Sequence, residues 1–222
     1  IGETKKLNTS HRKDRKEVIS SFETSCRNAY VNYSVSRENH LPIQELLYES
    51  IYADLLVINV NETFSEYLLA PTASFIHQLL AETQCPVFIV PDDYRQVTKI
   101  ILLYDGSPSS VYALKMFSYL LEDQNGMDIE VVTVKESEDD QLQSNGRLMK
   151  EFMKRQYPQS VYTVLKGKPE DTISDYIGKQ TESSLVVMGG PQRSAVLRPF
   201  KITLADTLMR KLRFPLFIAF NK

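Results

Sequence analysis

"SLVVMGGPQRSAVLRPFKITLADTL", Ser184 to Leu208, decides the fold. After Ser184 it opens with an apolar run, short enough for a strand and suited to one buried on both faces. Gly189 and Gly190 follow, then an irregular basic stretch carrying Arg193, Arg198 and Lys201. The end reads as a helix that Thr203 can cap. A strand, a glycine turn and a helix N-terminus are the parts of a phosphate cradle. Whether this one still holds a phosphate depends on the rest of the chain.

Upstream, "KIILLYDGS" (Lys99 to Ser107) is another apolar run, ending in an Asp-Gly turn. Ser107 or Ser109 can cap the segment that follows, and Pro108 suits its first turn. Val111, Leu114, Phe117, Leu120 and Leu121 then share one helical face. "MDIEVVTV" (127–134) reads as a strand and 141–156 as a helix. "SVYTVLKG" (160–167) reads as a strand, and a helix opens at Pro169. A helix over 203–213 and a strand in "FPLFIAF" (214–220) close the chain. Strands alternating with helices imply a parallel sheet covered on both faces.

The first half repeats the later part of this order. "IQELLYESIYADLLVIN" (43–59) aligns without a gap onto "ISDYIGKQTESSLVVMG" (173–189), and "CPVFIV" (85–90) onto "FPLFIA" (214–219). Residues 13–28 read as a helix, and "YVNYSV" (30–35) alternates like a strand. Two similar units therefore sit in tandem: 1–92, a linker at 93–98, and 99–222. The first has no counterpart of "KIILLYDGS" or "MDIEVVTV". Without those strands its sheet would keep open edges, so a preceding segment, or a neighbouring chain, is expected to fill the gap.

Composition narrows the function classes. Lys plus Arg is 26 against 28 Asp plus Glu, a net charge of −2, which favours neither nucleic acid nor an anionic membrane as a partner. Two cysteines in 222 residues give no disulfide framework and fit a reducing, cytoplasmic compartment. No apolar run approaches a membrane span.

The order and spacing of "KIILLYDGSPSSVYALKMFSYLL", "VLKGKPEDTISDYI" and the stretch from Ser184 to Phe220 resemble the universal stress protein family in its tandem-domain form. The resemblance implies a Rossmann-like α/β fold with a five-stranded parallel sheet flanked by helices. It also implies that two units, in one chain or in a homodimer, pack with their last strands side by side. Some members bind ATP and some do not. Binders carry G-x-x-G-x9-G-[ST] after the fourth strand.

Laid on this chain, that pattern puts its first glycine on Gly189 and its Ser/Thr on Thr203. The second and third glycines fall on Gln192 and Ile202. A side chain at Gln192 stands where backbone should approach phosphate, and β-branched Ile202 resists positive φ. The residual nucleotide-site positions that the resemblance assigns are Asp105, Gly106, Val132 and Gly167 from the earlier strands. Met188, Gly189, Arg193 and Thr203 complete them. Asp105-Gly106 equally suits a plain turn into a capped helix, and Gly189-Gly190 a sharp exit from the sheet. In the first unit Asn59 takes the place of Gly189.

Other chemistry finds little support. His11, His40 and His77 lack metal-ligand spacing. Cys85, before Pro86, reads as a core thiol. Ser107 has no general base in view and no G-x-S-x-G elbow. The sequence thus leads to a non-enzymatic stress-response protein with a degenerate ATP site, acting by protein contacts or an unidentified small ligand. An ATP-binding protein with weak or no hydrolysis is the alternative.

Overall fold

A computed structural model describes residues 16–36, 43–61, 72–121, 126–136, 146–180, 183–190, 204–205, 207–211 and 213–221. The chain falls into two compact units, Ile1–His40 and Leu41–Lys222. In the first, a helix (α1) spans residues 16–28. The rings of Phe22 and Tyr33 meet edge to face at 6.0 Å.

The second unit runs α2 (Ile43–Glu49), β1 (Leu56–Asn59), α3 (Thr72–Glu82), β2 (Val87–Val90) and β3 (Lys99–Leu103). It continues through α4 (Pro108–Leu120), β4 (Asp128–Lys135), α5 (Gly146–Gln156), β5 (Val161–Lys166) and α6 (Pro169–Gly178). β6 (Ser184–Gly189), a π-helical turn (Thr207–Lys211) and β7 (Leu216–Ala219) complete it. The seven strands form one sheet in the order β1-β2-β7-β6-β3-β4-β5. From β7 to β5 every pairing is parallel, which is the expected five-stranded Rossmann-like sheet. β1 and β2 pair parallel to each other. The antiparallel pair is β2 with β7, which sets Phe88 opposite Phe217. The 93–98 segment thus connects two strands of one sheet.

Alternation along each strand splits the core. Ile101, Leu103, Val132, Val186 and Met188 face α6, and Ile58, Ile76, Val87 and Ile89 continue that layer. Ile100, Leu102, Val131, Val187 and Phe217 face α4 and α5. β6 is buried at all six positions, as its sequence requires of a central strand. At the edges Val57 of β1 and Val164 of β5 are 57% and 56% exposed.

One expectation fails. Residues 31–36, which include most of "YVNYSV", have no regular secondary structure and join no ladder. A strand is stable only through its neighbours. In the second half, β5 is held by β4 and β4 by β3, and the first half lacks counterparts of both. Alternation alone therefore had nothing to pair with. The helix expected over 203–213 is helical at 204–205 and opens into the π-turn. It closes at Arg213, where φ is 55° and the next N–H, of Phe214, returns to the Leu208 carbonyl at 3.1 Å.

Candidate functional site

The crevice lies at the carboxyl ends of β3, β4 and β6, where the strand order reverses. In such sheets this is where ligands sit. Register places Leu103 beside Val132, and Leu102 beside Val187. Leu103, Val132 and Met188 thus form one row across three strands, all buried on the α6 side. The row is the floor. Val132 and Met188 offer it apolar side chains and no polar group.

Asp105 stands two residues above the floor. Its Oδ1 accepts from the backbone N–H of Ser107 at 3.0 Å and from the Ser107 hydroxyl at 2.5 Å. Gly106 between them takes φ 75°, which glycine adopts without strain. The Ser107 oxygen in turn accepts from the N–H of Ser110 at 3.2 Å, capping α4, with Pro108 at its first position. The sequence left the cap open between Ser107 and Ser109. The structure chooses Ser107.

Ser109 is thereby free for another role. Its hydroxyl donates to the carbonyl of Gly190 at 2.7 Å, across 81 residues of sequence. It ties the first turn of α4 to the chain leaving β6. The two glycines there are explained by packing. A Cβ on Gly189 would lie 2.5 Å from the Ser109 carbonyl carbon, and one on Gly190 would lie 2.2 Å from the Phe220 ring. Neither has positive φ, unlike Gly106, Gly126 and Gly167. Both residues are glycine because the chain passes too close to α4 and Phe220 for anything larger.

Gly167 follows β5 and takes φ 137°. Its N–H donates to the Lys135 carbonyl at 3.1 Å. A Cβ here would meet Thr172 Oγ1 at 2.6 Å. It turns the chain into α6, whose cap position is Lys168 with Pro169 first in the helix. Arg193 and Thr203, like Gln192, Arg198, Lys201 and Ile202, lie outside the described residues. The structure therefore brings together Asp105, Gly106, Val132, Met188 and Gly189, and sets Gly167 two strands away from β3.

The matching end of the first half is closed by side chains. Asn59, aligned with Gly189, donates to Asp92 Oδ1 at 2.8 Å. Asn61 donates to Asp92 Oδ2 at 2.5 Å, and its N–H donates to Asn59 Oδ1 at 2.7 Å. One carboxylate thus binds both amides. Sequence reasoning noted Asn59 as a lost glycine but missed Asp92, which is 31 residues from Asn61. The hint was the Asn-x-Asn spacing, which puts both side chains beyond the end of one strand.

A polar cluster lies at the opposite, amino end of the sheet. Glu130 accepts from Thr163 and from the Tyr176 hydroxyl, the latter at 2.6 Å. Lys99 Nζ lies 2.9 Å from Glu130 Oε2 and donates to Gln180 at 3.0 Å. Burial pushes the Glu130 carboxyl up. Hydrogen bonds from Thr163, Tyr176 and Lys99, with the Lys99 charge, outweigh it and hold the group below its ordinary value. Burial first, then the Glu130 hydrogen bond, push Tyr176 up. The cluster anchors α6 over the sheet and is remote from the crevice.

No protein-family model matches the chain, and no curated protein matches it in sequence. Solved structures do match. A universal stress protein from Archaeoglobus fulgidus DSM 4304 superposes with a TM-score of 0.67 at 16% identity, over 94% of this chain and 77% of that one. A putative universal stress protein from Pseudomonas aeruginosa UCBPP-PA14 gives 0.60 at 14%, over 92% and 78%. A functionally unknown protein from Pseudomonas aeruginosa PAO1 gives 0.62 at 12%, over 92% and 77%. The chain has the fold of the universal stress proteins.

Proposed function

We propose that this is a stress-response protein of the universal stress type that works without catalysis. On this reading it is cytoplasmic, is built of two tandem units sharing one sheet, and acts through protein contacts or a small ligand other than ATP. The observation that carries it is the Ser109–Gly190 tie, with Gly189 packed against the Ser109 backbone. Glycines that would signal a phosphate cradle are used to pack the protein against itself. The sequence agrees, with Gln192 and Ile202 at the other two glycine positions. β2 and β7 each have a strand on both sides. Their self-association is within the chain, so a homodimer would need another surface.

The alternative, an adenine-nucleotide binder, draws on residual positions that keep their turns: Asp105 and Gly106 at the crevice, and Gly167 two strands away. Mass spectrometry of the supernatant after denaturing the purified protein separates the two. The non-nucleotide reading expects no adenine nucleotide above trace. Near-equimolar ATP, ADP or AMP would overturn it.

A further inference from the structure

A second concavity lies on the other face of β3, between α4 and α5. It offers about 450 Å³ and opens to solvent. α4 contributes Pro108, Val111, Tyr112 and Lys115, spaced i, i+3, i+4, i+7, which is one stripe of a helix. α5 answers with Leu148, Met149 and Phe152. Tyr104 lines it as well; it and Met149 are 8% and 5% exposed. Tyr104 faces the α4 side while its neighbour Leu103 faces the α6 side. The cavity thus lies on the opposite face of the sheet from the floor of the crevice; it shares Gly106 with the crevice, and Asn221 completes its lining.

We propose that this cavity binds a small arene carrying a single negative charge, such as an aryl carboxylate. Three rings and the Met149 thioether present flat, polarisable surface, and methionine sulfur favours aromatic neighbours. Lys115 is the one ionised side chain in the lining. No ion pair among the described residues uses it. A lone cation beside an apolar surface selects a monoanion with an apolar body, and falls short of what a polyphosphate requires. Few polar groups on a mostly apolar wall is the usual make-up of a small-molecule site.

The test titrates the purified protein with naphthalene-1-carboxylate and with its neutral carboxamide, followed by calorimetry. Saturable one-to-one binding of the carboxylate is expected, about tenfold tighter than the carboxamide. Lys115→Met should weaken the carboxylate about tenfold and leave the carboxamide unchanged, while Lys115→Arg keeps the preference. Phe152→Ala should weaken both ligands together. Lys115 is half-buried at the cavity wall and makes no ion pair among the described residues, so its variants are expected to fold, and circular dichroism checks this. Absence of saturable carboxylate binding by the parent would overturn the proposal. So would equal affinity for carboxylate and carboxamide, or a Lys115→Met variant that binds as the parent does.

Discussion

The Ser109 hydroxyl and the Gly190 carbonyl are joined at 2.7 Å, both on buried residues, and this bond closes the angle between α4 and β6. Removing the donor leaves a buried acceptor unmatched. Ser109→Ala should therefore cost about 1–3 kcal/mol, read as a lower urea midpoint. Ser110→Ala should cost less. Its hydroxyl donates to Ser107 O within the same turn, at 2.8 Å, and helix geometry survives without that bond.

The two adjacent glycines should respond differently. A methyl at Gly189 meets backbone of Ser109, which cannot step aside without moving α4. A methyl at Gly190 meets the ring of Phe220, which can turn. Both variants overpack, by about 1–3 kcal/mol, with Gly189→Ala the worse. Phe220→Ala should relieve Gly190→Ala and do nothing for Gly189→Ala. A double-mutant cycle in urea measures the coupling. Equal rescue of both would show that the glycines share one contact.

Stability should depend on Glu130 at low pH. The folded carboxyl titrates below its ordinary value of 4.5, so its contribution is complete above that value. It is lost as pH falls through the lower, folded value. Glu130→Gln should be less stable than the parent at pH 7, and the gap should shrink as pH drops below 4.5. Tyr176 acts at the other extreme. Its folded value is above 10.0, so its contribution is present below 10.0 and is lost as pH rises through the folded value. Lys99→Met should be harsher than Glu130→Gln at pH 7, since it strands a buried carboxylate. Urea midpoints across pH supply both comparisons.

Phe217 is fully buried and meets Phe117 edge to face, with ring centres 5.2 Å apart. Facing Phe88 across the antiparallel seam, it packs α4 where the two halves join. Phe217→Ala should cost about 3–5 kcal/mol. If the halves share one cooperative core, circular dichroism and tyrosine fluorescence should still report a single transition. Two separated transitions would show that the seam is not what couples them.

The sequence made the sheet readable because its central strands carry unbroken apolar runs: "LVVM" and "IILL" can lie nowhere but inside. Last strands were legible for the same reason, since "PVFIV" and "PLFIA" are apolar runs, each opened by a proline. "YVNYSV" misled because alternation records a preference for a pleated surface and says nothing of a neighbour to pair with. At the site, the turn at Asp105-Gly106 and the cap were readable from local chemistry. Ser109 was not, because its partner is 81 residues away and only the fold brings it near. The groove between α4 and α5 was hidden likewise. Lys115 reads as an ordinary surface charge until Leu148 and Phe152 stand opposite.

Calorimetric titration of the parent protein with ATP decides whether the crevice at Gly189 is a nucleotide site. A glycine pair used for packing, with Gln192 and Ile202 in place of the remaining glycines, should give no saturable heat. Gln192→Gly combined with Ile202→Gly, studied at a temperature where it stays folded, should give weak binding, because backbone can then approach phosphate. Micromolar binding of ATP by the parent would contradict the degenerate-site reading outright.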